Sequence, residues 1–148
     1  MNRAYYFLDT SALFKRYIPE AGTDKIDLLF EKDGLFLISN LTVIEMISNL
    51  KRLVDVDKKI DHAVFDAVKN EFFKDVADGT LKVEPVSSVN IITSVGLLSK
   101  TYISPIDSLQ LAMALNLKEI YGDISFVCSD RKLCRMAIQE GITVLNLE

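Results

Sequence analysis

Four acidic residues stand where an α/β chain can put carboxylates to chemical use. Asp9 directly follows the apolar run from Ala4 to Leu8, and Asp130 follows the run from Ile124 to Cys128 after a single serine. Each position lies just beyond the carboxyl end of a strand, where open α/β sheets bind ligands. Glu45 comes three residues after Thr42 and Asp107 three after Ser104, so each falls in the first turn of a helix opened by those residues. All four can meet at one edge of a sheet. Clustered carboxylates repel one another, which raises their pKa values or demands cations, and helix N-termini relieve part of that cost. Oxygen ligands without His or Cys select Mg²⁺ or Mn²⁺. These ions serve phosphoryl transfer: they activate water, polarise the phosphate and stabilise the leaving oxygen.

Each acid also has a structural reading. Glu45 and Asp107 fit the acid position of a capping box, and Asp130 fits an N-cap. Glu45 shares a polar helix face with Asn49 and Arg52, opposite Val43, Ile47, Leu50 and Val54. Asp9 is harder to explain in this way, because it ends a five-residue apolar run. Asp107 leads into Leu109, Leu111, Ala112, Met113, Ala114, Leu115 and Leu117, a helix apolar nearly all round and therefore buried. An unpaired charge entering such a helix is costly.

The elements that must position these acids alternate between strands and helices. Ala4 to Leu8, Leu35 to Ile38, Ile124 to Cys128 and Thr143 to Leu147 read as strands, and Leu81 to Val86 as at best an edge strand because of Pro85. Between them, helices run from Thr10 or Ser11 towards Tyr17, from Thr23 to Glu31, from Thr42 onwards and through charged residues 57 to 77 up to Asp78-Gly79. Ser104-Pro105 opens another, with Pro at the first helical position. Ser129 or Asp130 opens the last, which Gly141 closes. Continuous apolar strands alternating with helices imply an α/β fold: a parallel sheet covered on both faces.

The totals bound the rest. A chain of 148 residues, 49% apolar, suits one domain with one core. No apolar run is long enough to span a bilayer, and the short stretch before Asp9 reads as a strand and not a signal peptide, which places the protein in the cytoplasm. Cys128 and Cys134 make neither a disulfide framework nor a zinc site and read as small buried hydrophobes. The single histidine, His62, lies in a charged stretch and reads as a surface residue. A net charge of −4 counts against a nucleic-acid binder. Setting four acids aside as a metal site leaves the remainder formally neutral, and bound cations reverse the local field.

The segments carrying these acids resemble the PIN-domain family, in particular the VapC-type toxin ribonucleases of toxin–antitoxin pairs. They are FLDTSALFKRY (7–17), VIEMISNLKR (43–52), SPIDSLQLAMAL (104–115) and FVCSDRKLCRMAIQEGITVLNL (126–147). The resemblance implies a single PIN-like domain over residues 1–148, with a central parallel sheet of four to five strands. It implies an endoribonuclease that holds one or two Mg²⁺ or Mn²⁺ ions through Asp9, Glu45, Asp107 and Asp130. Thr10, Ser11 and Ser129 would be the supporting hydroxyls. A cognate antitoxin and a homodimer are the implied partners, with RNA as substrate. Gln110 departs from the pattern, since relatives often carry His there. Arg52, Lys15, Arg16 and Arg131, with Lys51 and Lys132, flank the motifs and are candidates for phosphate contacts. The helices at 23–30 and 60–73 offer either contact surface or plain core.

Three other classes compete. A HAD-like phosphatase wants a second Asp two residues after the first, where this chain has Ser11. A receiver-type domain wants an acidic pair near its first strand, and Asp9 stands alone in its segment. A catalytically idle interaction module on the same fold has no need of four acids.

Overall fold

A computed structural model describes residues 3–148. Five strands form one sheet: β1 (Ala4–Leu8), β2 (Gly34–Ser39), β3 (Leu81–Glu84), β4 (Ile124–Cys128) and β5 (Thr143–Asn146). Their spatial order is β3-β2-β1-β4-β5, and every pairing is parallel. Among the described residues seven helices surround it: α1 (Thr10–Tyr17), α2 (Thr23–Phe30), α3 (Asn40–Asp55), α4 (His62–Ala77), α5 (Ser88–Lys100), α6 (Pro105–Tyr121) and α7 (Arg131–Gln139). β3 is an edge strand, and Pro85 follows its last residue.

The strands are apolar at consecutive positions because both faces are covered. In β1, Phe7 joins a core with Leu111, Phe126 and Leu133 under α5, α6 and α7. Its neighbours Tyr6 and Leu8 point the other way, into a second core with Leu13, Ile26, Met46 and Phe72 under α1 to α4. The sheet grows from β1 in two directions, through β2 to β3 and through β4 to β5. The crevice at such a reversal, at the carboxyl ends of the strands, is where this architecture places ligand sites.

Several expectations change in detail. The third helix opens at Asn40 with Ser39 as N-cap, whose Oγ accepts from the Leu41 amide at 3.0 Å. Thr42 lies inside the helix and is fully buried. The first helix begins at Thr10 with Asp9 in the N-cap position, but no side-chain capping bond. Residues 57–77 yield one helix, beginning at His62, which is exposed as expected. Helix α5 has no counterpart in the sequence reading. Cys128 and Cys134 are buried but joined in a disulfide. The end of β4 and the first turn of α7 bring their Cα atoms to 6.2 Å, so the bond closes the loop carrying Ser129 and Asp130.

The helix that begins beside Asp9 is anchored at its far end by a polar cluster. Tyr17 donates to Asp75 Oδ2 at 2.5 Å, and Arg16 Nε lies 3.3 Å from the same oxygen. Arg16 also stacks 4.1 Å from the centre of the Phe30 ring. Burial and the bond to Asp75 push the Tyr17 hydroxyl well above the ordinary phenol range, so it remains a donor. Replacing Asp75 by Ala strands that hydroxyl and the guanidinium. The variant should lose roughly 2–3 kcal/mol of stability, read as a lower urea midpoint at unchanged slope.

Candidate active site

The four acids converge on the carboxyl edge of the central strands. Asp9 follows β1, and its amide donates to the Val127 carbonyl of β4 at 2.9 Å. Its own carbonyl accepts the first bonds of α1, from Ala12 and Leu13. The side chain is buried, and Ser11 Oγ donates to Oδ2 at 2.5 Å. Ser129 Oγ donates in turn to Ser11 at 3.2 Å. Burial above all, with the charges of Asp107 and Glu45 adding to it and the Ser11 bond opposing, raises the Asp9 carboxyl to a pKa of about 6. A shift of this size is worth roughly 3 kcal/mol against the ionised form.

Glu45 is held differently from the capping-box expectation. Helix α3 begins two residues before Thr42, so Glu45 has no N-cap partner there. Instead Glu45 Oε1 accepts from Thr10 Oγ1 at 2.7 Å. Thr10 lies 2.9 Å from Thr42 Oγ1, and Gln110 Nε2 reaches Thr42 at 2.9 Å and Thr10 at 3.3 Å. Each hydroxyl has one proton. Thr10 gives its proton to Glu45, so Thr42 donates to Thr10, and Gln110 supplies the incoming donor. The network therefore runs in one direction, from Gln110 through Thr42 and Thr10 to the carboxylate. Gln110 is almost wholly buried, and its Oε1 has no partner.

Asp107 and Asp130 lie on the wetter side. Ser104 caps α6, its Oγ accepting from the Asp107 amide at 3.2 Å. Burial raises the Asp107 carboxyl above its usual range; Asp130 adds to this, while Ser104 and Lys132 oppose it. Asp130 is exposed and caps α7, its Oδ1 accepting from the Leu133 amide at 2.9 Å. The two acids line a cleft of about 150 Å³. No three His, Cys, Asp or Glu side chains among the described residues stand close enough together to hold a metal ion. The acids share one electrostatic neighbourhood without chelating geometry.

The flanking cations are mostly engaged. Lys15 bonds Glu20 at 3.3 Å and the Ala21 carbonyl at 2.7 Å, and Arg16 is fixed on Asp75. Lys51 pairs with Asp55, Arg52 with Asp57 at 3.8 Å, and Arg131 with Glu148 at 2.5 Å. Sequence reasoning passed over Thr42 and Gln110 as members of the site. The signal was an amide set among apolar residues of a helix, because a buried polar side chain must find a partner.

In chemical type, though not in spacing, the donor set suits a hard divalent cation. It is all oxygen, and Asp9 is a buried carboxylate with two further acids acting on it. No curated protein matches the chain. The fold is similar to that of solved structures at low identity. A chain of the DNA-bound VapBC from Salmonella typhimurium aligns with a TM-score of 0.66 and 17% identity, covering 98% of this chain and 99% of that one. FitAcB from Neisseria gonorrhoeae aligns at 0.67 and 14%, covering 96% and 97%. A toxin–antitoxin complex from Klebsiella pneumoniae aligns at 0.67 and 14%, covering 97% and 98%. The family model of the PIN domain matches residues 6–139. With a match of that extent, the chain belongs to the PIN domain family.

Proposed function

We propose that this protein is a Mg²⁺- or Mn²⁺-dependent endoribonuclease and the toxin of a toxin–antitoxin pair. The observation that carries the reading is the buried Asp9 carboxylate, raised in pKa with two further acids acting on it at the carboxyl edge of the sheet. Membership of the PIN domain family supports a nuclease, and the similar structures include toxin–antitoxin complexes.

Asp9, Glu45, Asp107 and Asp130 would hold the cation. When bound, it supplies Lewis acidity to a phosphodiester and to the attacking water. The chain's own groups do the positioning. Ser11, backed by Ser129, fixes the Asp9 carboxylate. Thr10 fixes Glu45, which would ligate the cation or orient the attacking water by hydrogen bonding. No covalent enzyme intermediate is involved.

The partner expectations acquire candidate surfaces. Among the residues at 23–30 and 60–73, Ile26, Leu29 and Phe72 are core, while Val64 and Phe73 remain partly exposed. A wider apolar groove of about 660 Å³ runs along α3 past Val43, Ile44 and Ile47 to Lys51 and Arg52, suited to an amphipathic, partly acidic antitoxin segment. Helix α5 exposes Val89, Ile91, Ile92, Val95 and Leu98, and Lys100 is its one charged residue. A second copy meets no like-charge repulsion on such a face.

In Mn²⁺, the purified protein should cleave single-stranded RNA, and chelation by EDTA should stop it. Asp9→Asn should abolish cleavage while circular dichroism shows an unchanged fold. Full activity in that variant would sink the reading. Gln110→Leu, which removes the head of the donor chain and its orphan acceptor together, should lower kcat roughly tenfold, with KM held. Ile92→Asp should shift the protein from dimer to monomer in light scattering; an unchanged dimer would exclude the α5 face.

A further inference from the structure

Of the six cations that flank the acidic motifs, Lys132 is the one with no carboxylate within ion-pairing distance among the described residues. Lys15, Arg16, Lys51, Arg52 and Arg131 all have one. Lys132 begins the second position of α7, two residues after Asp130. Its ammonium lies 5.4 Å from the centre of the Tyr102 ring, and its charge acts on Asp107. Tyr102 is 78% exposed, an unusual state for so large a ring. It stands on a firm base all the same. Ile103, the next residue, is buried in the core, and Ser104 caps α6. Both side chains line the same cleft of about 150 Å³ as Asp107 and Asp130. An exposed ring, with the ammonium over it and no carboxylate partner on that ammonium, thus borders the two wetter acids.

We propose that Tyr102 and Lys132 form a nucleotide subsite, with one unpaired base of a single-stranded RNA stacked on the Tyr102 ring and the adjoining phosphate on Lys132. Stacking on an aromatic ring accepts any base, because every base has a π face. It requires an unstacked nucleotide, so the site takes single strands and rejects duplex. Lys132 supplies a point charge to the phosphate beside the acids that would hold the cation. The subsite fixes the strand relative to the cleft and takes no part in bond cleavage. The inference rests on the ribonuclease reading, and a binding measurement separates the two.

The chain has no tryptophan, so Tyr102→Trp introduces a unique fluorophore. It is placed in the Asp9→Asn background, where no cleavage occurs. A short single-stranded RNA should quench its emission. The same strand paired into a duplex, and inorganic polyphosphate, should not. In the active protein, Tyr102→Ala should raise KM for single-stranded RNA about tenfold with kcat within twofold, and Tyr102→Phe should restore KM. Lys132→Gln should raise KM and reduce its dependence on salt. Absence of quenching by single-stranded RNA, or quenching by duplex as strong as by single strand, overturns the subsite. So does a wild-type KM in Tyr102→Ala. If the wild-type protein cleaves no RNA, the ribonuclease reading fails by itself, and the quenching experiment still decides the subsite.

Discussion

Placing a carboxylate out of water costs free energy, and the site is organised around that cost at Asp9. The residue ends the central strand, so its backbone is fixed on both sides: its amide bonds β4, and its carbonyl starts α1. The side chain has no freedom to escape to solvent, and two other acids act on it. Two hydroxyl chains answer this. Ser129 and Ser11 end on Asp9, while Gln110, Thr42 and Thr10 end on Glu45. Both point their donors at a carboxylate, and at Asp9 the Ser11 bond favours the charged form. Burial keeps the Asp9 carboxyl raised in spite of the Ser11 bond.

The topology makes this geometry possible. With β1 at the centre and the chain spreading from it in two directions, the loops after β1, β2 and β4 open at one edge. Thr10 comes from the first, Thr42 from the helix after the second, and Ser129 from the third. Gln110 arrives from α6, whose apolar surround leaves its amide no partner except the threonines. The Cys128–Cys134 bond adds a covalent constraint to the third loop, which carries both Ser129 and Asp130. The four acids are thus supported unequally. Asp9 and Glu45 accept hydroxyl donors from other side chains, and Asp107 and Asp130 stand at their own helix starts.

What the sequence disclosed follows the range of the interactions involved. Strand ends are local events, so Asp9 and Asp130 were placed by apolar runs alone, and Ser104-Pro105 marked the start of α6 correctly. Thr42 misled because its position before Glu45 imitates a capping box, while the true cap, Ser39, is also the last residue of β2. Helix α5 escaped notice because its β-branched residues, serines and Gly96 carry weak helix propensity. It forms because Asn90, Ser94 and Leu97 are buried, Asn90 and Ser94 bonding to Asn116 and Ser108 of α6. The hydroxyl chains join residues 32 to 118 positions apart, apart from the local Ser11–Asp9 step, and no spacing rule reveals such contacts. The disulfide was illegible for a different reason: two cysteines six apart pair only when a strand end and a helix start set their distance.

The acidic balance of the chain bears on how a nuclease of this kind engages a polyanion. Five of the six cations near the motifs are already spent on carboxylates. A broad basic groove, whose affinity comes from displaced counterions, is therefore not the source of binding on the ribonuclease reading. What remains is local: the cation that the acids would hold on that reading, and at the cleft the Lys132 ammonium over the exposed Tyr102 ring. Recognition built from so few contacts depends on the conformation of one or two nucleotides more than on the length of the strand. On the same reading substrate binding would be tied to the buried acid at Asp9, since the cation held by the acids would also meet the phosphate. The energetic burden of burying a carboxylate and the attraction for a polyanion would then be two sides of one electrostatic problem.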